Sequence, residues 1–307
     1  MIHLTPRGKL LLTAEYFVLD GVPALAVPTR LGQIFSVAPA PSTAEHDLYW
    51  RAYDHAGACW FSRTFNRAEW ATAPAAGEDP AVRIPQLLAA AEALRPGCTA
   101  AIDGLEVTTR LEFDRRWGLG SSSTLVAALA RWLDVNPYAL LARTFGGSGY
   151  DLACAFAPGP LLYERNGTAP VVTDLEWRPE WTGSSYFVYR NQKQNSRAGI
   201  RAYRARTIVG SVRDEVGHLT TALLSPTLHP RAAAQIFTDH ERLVGETLGL
   251  EPVRDELFPD FPGAIKSLGA WGGDFVWALS EQPAEKVGAY FNERGFPVVI
   301  PYGELIA

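Results

Sequence analysis

The sequence WGLGSSST (117–124) stands between a segment that predicts a strand and one that predicts a helix. Residues 105–113 (LEVTTRLEF) alternate apolar and polar side chains, which is typical of a half-buried strand. Residues 125–133 (LVAALARWL) are mostly apolar and predict a buried helix. The two glycines let the intervening backbone turn sharply and approach a ligand closely, and the serines supply an N-cap and free hydroxyls. The free N–H groups and positive dipole end of such a helix are a seat for phosphate.

Taken alone, this loop is equally consistent with an ordinary strand-to-helix turn. It lacks the GxxxxGK[ST] spacing of a Walker A loop, and it lacks the third glycine of the Rossmann GxGxxG fingerprint. The phosphate-binding interpretation therefore depends on the other motifs of the chain.

The composition is that of a globular protein with a sizeable core. Of 307 residues, 47% are hydrophobic and 20% are charged, and the formal net charge is −5. This acidic balance argues against nucleic acid or an anionic membrane as the main partner, because both favour basic surfaces. No apolar run reaches the ~18 residues of a membrane span.

Three scattered cysteines, Cys59, Cys98 and Cys154, form neither a disulfide framework nor a metal-ligand spacing, and they indicate a reducing compartment. The N-terminal residues lack the apolar region of a signal peptide, and the six histidines show no ligand pattern. We therefore expect a cytoplasmic protein without a structural metal. No oligomeric state is predicted.

Strand and helix patterns alternate in both halves of the chain, which predicts a mixed α/β architecture of the α+β class. The predicted strands include residues 10–17, 24–27, 33–38, 48–53, 161–164, 186–190, 274–279 and 298–300, and the predicted helices include residues 84–94, 137–145, 151–156, 197–224 and 232–248. A polar stretch over 165–179 predicts the domain boundary. We assign an N-terminal domain to residues 1–165 and a C-terminal domain to residues 166–307.

Three further elements carry charged residues. In GGSGYD (146–151), Asp151 is either a helix-capping aspartate or a carboxylate beside the phosphate loop that accepts or orients a hydroxyl proton. The segment KSLGAWGGDF (266–275) is either a tight turn before a strand or a loop with exposed backbone amides. Gly8 and Lys9 open the first long strand, and Lys9 alone would be a solvated surface lysine.

Together these elements resemble the GHMP kinase superfamily, named for galactokinase, homoserine kinase, mevalonate kinase and phosphomevalonate kinase. The segment GKLLLTAEYFVLDG (8–21) is similar to the family's PGKxxLxGEHxVxxG, residues 117–124 to its PxGxGLGSSA, and residues 266–273 to its KxxGAGxGG. The string SGYD (148–151) matches the SGxD context of the family's catalytic aspartate. The order is that of the family, and the motifs span nearly the whole chain.

The resemblance implies a two-domain fold. The N-terminal half is expected to be like ribosomal protein S5 domain 2, the C-terminal half to be ferredoxin-like, and the active site to lie between them. The Glu15–Tyr16 and GGD (272–274) strings look more like phosphomevalonate kinase than mevalonate kinase.

The resemblance also implies the roles of individual residues. Asp151 and Lys9 are the expected catalytic pair, with Lys9 lowering the pKa of Asp151 and stabilising negative charge. ATP is expected to bind the central loop through Gly118, Leu119, Gly120, Ser121, Ser122 and Ser123. The hydroxyl of Ser121 or Ser122 is expected to reach the Mg²⁺ ion that accompanies ATP.

An anionic small-molecule substrate is expected in the C-terminal half. The segment RNQKQNSR (190–197) combines cations with polar donors that suit a carboxylate or phosphate, although it also fits a solvated loop. The substrate-binding residues predicted from this segment and from the glycine loop are Lys193, Ser196, Arg197, Gly269, Ala270, Gly272 and Gly273.

The sequence also departs from the family pattern. Asp114 to Trp117 replace the usual prolines and glycines, Gly118 and Asp151 are only 33 positions apart, and Trp271 stands where a small glycine is usual. These departures leave open the pose of the nucleotide and the size of the substrate.

Mevalonate or phosphomevalonate is the expected acceptor, in isoprenoid precursor synthesis. The alternatives are a diphosphomevalonate decarboxylase-like lyase, a sugar kinase of the same superfamily and a non-catalytic sensor that retains the fold.

Overall fold

The structure is a computed structural model, and it describes residues 1–40, 47–71, 77, 79–192, 196–269, 271 and 273–307. Its strands are β1 (Ile2–Leu4), β2 (Arg7–Leu11), β3 (Ala24–Pro39), β4 (Asp47–Tyr53), β5 (Cys59–Asn66), β6 (Leu105–Leu111), β7 (Leu161–Glu164), β8 (Val171–Asp174), β9 (Ser185–Tyr189), β10 (Ala264–Ser267), β11 (Phe275–Leu279) and β12 (Val299–Pro301). The architecture is mixed α/β, as the alternation of patterns in the sequence predicts.

Its helices are α1 (Arg67–Ala71), α2 (Pro80–Leu94), α3 (Ser121–Leu133), α4 (Pro137–Thr144), α5 (Tyr150–Cys154), α6 (Ser196–Arg204), α7 (Gly210–Leu223), α8 (Pro230–Leu248), α9 (Val253–Leu257), α10 (Ala284–Glu293) and α11 (Tyr302–Leu305). Side-chain caps fix where some of them begin. Asp79 accepts a hydrogen bond from the amide of Ala81 at the start of α2, and Asn136 accepts one from the amide of Ala139 at the start of α4. In the described part of the chain, no helix has the length and apolar character needed to span a membrane.

The first sheet is organised around the long strand β3. The strand order is β5-β4-β6-β3-β7-β8, with β1 and β2 also pairing to β3, and only the β4–β6 pair among these described strands is parallel. Phe35 and Trp50 project from this sheet into a core shared with Leu88 of α2 and Leu129 of α3. Since α3 packs on this core, the loop that precedes α3 has a fixed position over the sheet.

The second sheet has the ferredoxin-like topology that the resemblance implies. Its order is β10-β11-β9-β12, and every pair is antiparallel. Helices α6 to α9 connect β9 to β10, and α10 connects β11 to β12, which is the β-α-β-β-α-β arrangement. Strand β8 belongs to the first sheet, so that sheet extends to Asp174; the domain division at 165/166 stays a prediction.

The two sheets share a core of aromatic rings. Trp277 of β11 is fully buried, with its ring centroid 4.3 Å from that of Phe237 and 5.5 Å from that of Trp181. Leu10 and Val27 of the first sheet belong to the same cluster. The C-terminus adds a backbone link, because the amide of Ala307 donates to the carbonyl of Pro28 at 3.1 Å.

The prediction of a strand over 10–17 was wrong beyond Leu11. The chain leaves the sheet there, and Ala14 and Tyr16 adopt left-handed backbone conformations with φ of 57° and 65°. The Thr13 hydroxyl accepts the amide of Leu25, and the amide of Ala14 donates to Nε2 of His240 on α8 at 2.8 Å. Contacts to a distant helix have therefore overridden the local apolar pattern.

The single helix predicted over 197–224 was also wrong, because it is divided into α6 and α7. Three consecutive β-branched residues, Thr207, Ile208 and Val209, lie at the break, and such residues are poor helix formers. The guanidinium of Arg206 donates to the carbonyl of Leu248, which holds the break against the end of α8.

A buried ion pair joins the segment after β2 to strand β10. The ammonium group of Lys266 donates to Oε1 of Glu15, and the side chains are 1% and 0% exposed. Lys266 also donates to the carbonyl of Ser267 at 3.0 Å. Burial raises the pKa of Glu15, and the Lys266 ammonium opposes that shift. The pair therefore links the two sheets through charges that have no access to water.

Two further titratable groups complete this cluster. His240 accepts the amide of Ala14 at Nε2, so this nitrogen carries no proton, and burial holds the pKa of His240 well below its usual value. Glu241 accepts the amide and hydroxyl of Ser267, each at 2.8 Å. Burial raises the pKa of Glu241 to about 7. We call Glu15, His240, Glu241 and Lys266 the buried ionic cluster.

Replacing Lys266 with methionine tests this link. We expect Lys266→Met to lower the free energy of unfolding by about 3–5 kcal/mol, because Glu15 and Glu241 would stay buried without the cation that offsets their desolvation. The double variant Glu15→Gln/Lys266→Met should recover part of that loss. Urea denaturation followed by circular dichroism measures both, with the exposed Lys286→Met as control. A Lys266→Met protein as stable as that control would contradict the assignment.

Candidate active site

The loop between β6 and α3 has the geometry of an anion-binding site. Gly118 and Gly120 have φ of 65° and 93°, and Gly120 is the residue at the N-cap position of α3. The expectation that a serine caps the helix was wrong, because α3 begins at Ser121 and the serines occupy its first turn. The first amides of a helix have no intrahelical partner and carry the positive end of its dipole. The backbone at Ser121 to Ser123 is therefore suited to bind phosphate oxygens.

Lys9 of β2 is bound to this loop. Its amide donates to the carbonyl of Leu119 at 3.1 Å, and its ammonium group donates to the carbonyl of Gly118 at 2.8 Å. Gly8 permits this approach, since a Cβ at Gly8 would come within 2.9 Å of the Leu119 carbonyl. The Leu119 side chain is fully buried in the core, so only its backbone belongs to the site.

Asp151 lies in the first turn of α5, after Gly149 in a left-handed conformation with φ of 91°. The Ser123 hydroxyl hydrogen-bonds to its carboxylate and also lies 2.8 Å from the carbonyl of Gly120. Burial raises the pKa of Asp151, while the ammonium of Lys9 opposes the shift. The sequence predicted that Lys9 acts in this direction, but burial is the larger effect.

The Lys9 ammonium is surrounded by negative and polar groups. Burial alone would lower the pKa of Lys9, but its interactions with Tyr150, Asp274 and Asp151 outweigh burial and leave the pKa raised. Lys9 is therefore a permanent cation at the centre of the site.

Tyr150 is a site residue that the sequence analysis did not identify. Its hydroxyl hydrogen-bonds with the Lys9 ammonium, which lies 5.6 Å from the ring centroid. Burial raises the pKa of Tyr150 to about 12, so the hydroxyl is neutral at physiological pH. The only sequence signal was its position as the variable residue of the SGxD string.

Asp274 is the second site residue without a predicted role. Its carboxylate lies against the α-carbon of Gly118, since a Cβ built there would come within 2.7 Å of Oδ1. Its own backbone is left-handed, with φ of 53°. The amide of Asp274 donates to the carbonyl of Gln192, and its carbonyl accepts the amide of Arg190. The end of the third glycine-rich loop therefore meets the phosphate loop directly.

A cleft of about 240 Å³ lies beside the phosphate loop on the side of Trp117. His55 from the β4–β5 turn, Asp114, Trp117 and Tyr189 of β9 line it. Trp117 is held edge-to-face against Phe275, with ring centroids 5.8 Å apart. Trp117 thus gives the cleft a flat aromatic surface next to the loop that precedes α3.

No protein-family model matches this sequence, and no curated protein matches it. Solved structures do match. Phosphomevalonate kinase from Streptococcus pneumoniae, in complex with phosphomevalonate and AMPPNP, has a TM-score of 0.71 at 16% identity over 97% of this chain and 99% of that one. Mevalonate kinase from Methanococcus jannaschii has a TM-score of 0.66 at 14% identity over 97% and 96% of the two chains. Galactokinase from Lactococcus lactis, complexed with galactose, has 0.64 at 12% identity over 97% and 92%.

The chain has the fold of the GHMP kinases. The resemblance drawn from the four motifs is confirmed at this level. In this GHMP kinase fold, the structure brings together Lys9, Asp151 and the loop over residues 118–123, from β2, α5 and the β6–α3 connection.

The predicted substrate residues are less fully described. Lys193, Ala270 and Gly272 lie outside the described residues, and of Ser196 and Arg197 only the backbone is described, at the start of α6. Gly269 has a left-handed backbone with open space around it, and Gly273 is buried. These seven assignments stay predictions.

Trp271 takes the position of a usual glycine without filling the site. Its indole is 2% exposed, in one cluster with Leu243 and Tyr203. A Cβ on Gly245 of α8 would come within 3.0 Å of the indole. A glycine on α8 therefore makes room for the tryptophan, which packs into the core.

Adding a methyl group at Gly118 tests the contact between the two loops. We expect Gly118→Ala to displace Asp274 and to lower the free energy of unfolding by more than Gly104→Ala does, because the new Cβ overlaps the carboxylate in addition to straining a left-handed backbone, which costs about 1–3 kcal/mol. Urea denaturation followed by circular dichroism measures the loss. Gly104→Ala is the matched control, since Gly104 has φ of 72° but no described atom within 4 Å of the added Cβ. An equal loss in the two variants would show that backbone strain alone is responsible.

Proposed function

We propose that this protein is an ATP-dependent kinase that phosphorylates a small anionic metabolite, with phosphomevalonate or mevalonate as the first candidates. The observation that carries the proposal is the position of Lys9 and Asp151 beside the phosphate loop. Phosphoryl transfer requires positioning and charge neutralisation more than covalent chemistry. A cation, a carboxylate and a row of free amides in one place supply both.

In this proposal the phosphates of ATP bind the backbone amides over residues 118–123. The base of ATP occupies the cleft next to Trp117, where an aromatic ring and the polar groups of His55 and Asp114 are available. Stacking of a base on an aromatic side chain contributes about 1–3 kcal/mol. The AMPPNP complex of the pneumococcal phosphomevalonate kinase supports ATP as the nucleotide.

The residues of the loop fit a magnesium ion. Ser121 is half-buried and Ser122 exposed, so their hydroxyl oxygens are accessible. The Asp151 carboxylate accepts a hydrogen bond from the neighbouring Ser123. Hydroxyl, carboxylate and phosphate oxygens are the hard ligands that Mg²⁺ prefers. Such an ion would neutralise negative charge on the phosphates. We assign Ser121 or Ser122 to hold it.

Asp151 orients the acceptor and takes its proton when the acceptor is a hydroxyl. Because burial raises the pKa of Asp151, its carboxylate is a better base than an exposed aspartate. When the acceptor is a phosphate oxygen that is already ionised, Asp151 only orients it. Lys9 stabilises the charge that develops during transfer.

The C-terminal half binds the acceptor in this proposal. Lys193, Ser196 and Arg197 hold its anionic end, and the loop with Gly269, Ala270, Gly272 and Gly273 presents backbone amides to it. The phosphomevalonate in the pneumococcal complex supports an acceptor of this class. We assign the reaction to the cytoplasm, since the three cysteines are free.

The acceptor is tested by coupled ADP release with Mg-ATP and separate additions of mevalonate, 5-phosphomevalonate, diphosphomevalonate and galactose. ADP release with one of the first two identifies the kinase and its substrate. Release with diphosphomevalonate together with CO₂ would move the assignment to the decarboxylase, and release with galactose would move it to a sugar kinase. Nucleotide binding without turnover on any acceptor would favour a sensor.

Asp151→Asn tests the catalytic assignment. We expect turnover to fall by about 10²–10⁴-fold, which is the usual contribution of a positioned acid–base group. The affinity for AMPPNP should change little, because the amide keeps the shape of the side chain. Turnover within about threefold of wild type would remove Asp151 from the mechanism.

Trp117→Ala tests whether the cleft binds the adenine base of ATP. We expect the Kd for ATP to rise by about tenfold through loss of stacking, equivalent to about 1.4 kcal/mol. Inorganic triphosphate, which has no base, is the control ligand and should bind both proteins equally. Equal weakening of both ligands would mean that Trp117 supports the loop and does not contact the base.

A further inference from the structure

Asp151 lies on a helix that cannot fix its own start. Helix α5 has five residues, and so short a helix is not stable without contacts from other elements. Gly149 is at its N-cap position and provides no side-chain cap. The preceding Gly146 and Gly147 are exposed, with φ of 66° and 113° and no described atom within 4 Å of an added Cβ. The position of Asp151 is therefore set from outside this segment.

Tyr163 of β7 makes a directional contact with the start of α5. Its hydroxyl donates to the carbonyl of Ser148 at 2.7 Å. The Tyr163 side chain is fully buried, and its backbone pairs with Ala24 of β3 in the first sheet. A Cβ on Gly149 would come within 2.9 Å of the same hydroxyl. The first sheet thus holds the residue pair before α5 through one phenol group.

A second tyrosine encloses Gly149 without bonding to it. A Cβ built on Gly149 would come within 3.1 Å of Cδ1 of Tyr138, which lies on α4. A ring carbon limits the space available to the loop, whereas a hydrogen bond also fixes its direction. Of these two contacts, the hydroxyl of Tyr163 is the one that sets the orientation of the loop.

The other end of α5 is held by a different strand. The amide of Arg7 on β2 donates to the carbonyl of Ala155, just after the helix, at 2.7 Å. Asp151 is in the first turn, so it lies nearer to the end that Tyr163 holds. Loss of the Tyr163 hydroxyl would therefore loosen the part of the helix that carries the carboxylate.

We propose that Tyr163 is a positioning residue for Asp151, with its hydroxyl holding the loop before α5 so that the carboxylate stays beside Lys9 and the phosphate loop. Tyr163 acts through the backbone of Ser148 and touches none of the reacting groups. A misplacement of about 1 Å can cost about 10²-fold in rate, so an anchor of this kind matters to turnover. This inference rests on the proposed function, in which Asp151 orients the acceptor.

Tyr163→Phe is a suitable variant, because it removes the hydroxyl and keeps the buried ring. Tyr290→Phe is the matched control, since the Tyr290 hydroxyl also donates at 2.7 Å, to Oδ1 of Asp260, but on α10 of the second sheet. Both substitutions are made in wild type and in Asp151→Asn. Coupled ADP release with the acceptor that supports turnover measures kcat and the KM for ATP.

We expect Tyr163→Phe to lower kcat by about tenfold in wild type and to leave the KM for ATP nearly unchanged. In Asp151→Asn the same substitution should change kcat by less than about twofold, because the group that it positions has been removed. An equal factor in both backgrounds would overturn the inference, and so would a Tyr163→Phe enzyme as fast as Tyr290→Phe. Wild type without turnover on any acceptor would instead overturn the proposed function.

Amide hydrogen exchange followed by NMR tests the anchor without turnover. The amides of Leu152 and Ala153 donate to the Gly149 carbonyl at 3.0 and 3.4 Å. Their exchange should be at least about tenfold faster in Tyr163→Phe than in Tyr290→Phe, while the amides of residues 126–130 in α3 keep their rates. Unchanged exchange at the two α5 amides, or equal acceleration in α3, would show that Tyr163 does not hold this loop.

Discussion

The candidate site depends on an ion pair buried between the two sheets. Glu15 follows β2, the strand that carries Lys9. Lys266 lies on β10, the strand that leads into the third glycine-rich loop. A buried pair of charges adds little to stability compared with apolar side chains, but it is costly to break. Its contribution is positional, because apolar surfaces tolerate sliding, whereas the buried ammonium needs the Glu15 oxygen within hydrogen-bonding distance. The contact between Asp274 and Gly118 follows from this alignment of the two sheets.

Charge balance around Lys9 gives the site its chemical character. The Lys9 ammonium donates to the carbonyl of Gly118 and hydrogen-bonds with the Tyr150 hydroxyl. It also interacts electrostatically with the carboxylates of Asp151 and Asp274. Burial favours the protonated form of Asp151, and Lys9 favours the ionised form. The result is a carboxylate whose pKa is raised by burial and lowered by one neighbouring cation. In the proposed function, a bound nucleotide would add further charge to this balance.

The parts of the fold that the sequence predicted are those governed by local rules. The glycine turn before α3, the helix over residues 125–133 and the strands near 161–164 and 274–279 follow from glycine conformations and apolar patterns. Errors arose where distant contacts decide the backbone, as at Ala14, whose amide binds His240 from α8. Asp274 received no role because its partner, Gly118, is 156 positions away in the sequence. The sequence shows a charged residue in a glycine-rich loop. Its neighbours, however, depend on how the two sheets are aligned, which the sequence alone does not show.

Identities of 12–17% to solved GHMP kinase folds show how little of a sequence this architecture requires. In this chain Gly8 and Gly118 allow close backbone approaches, since each lies where a Cβ would meet another loop. Elsewhere one departure from the family pattern is matched by space on the facing helix. Trp271 fills the core where the family usually has glycine, and Gly245 on the facing helix provides the space. Such exchanges conserve volume and fold while removing the sequence likeness on which a family model depends. Gly8 and Gly118 cannot be exchanged in this way without displacing their neighbours, because a Cβ would meet the Leu119 carbonyl at Gly8 and the Asp274 carboxylate at Gly118.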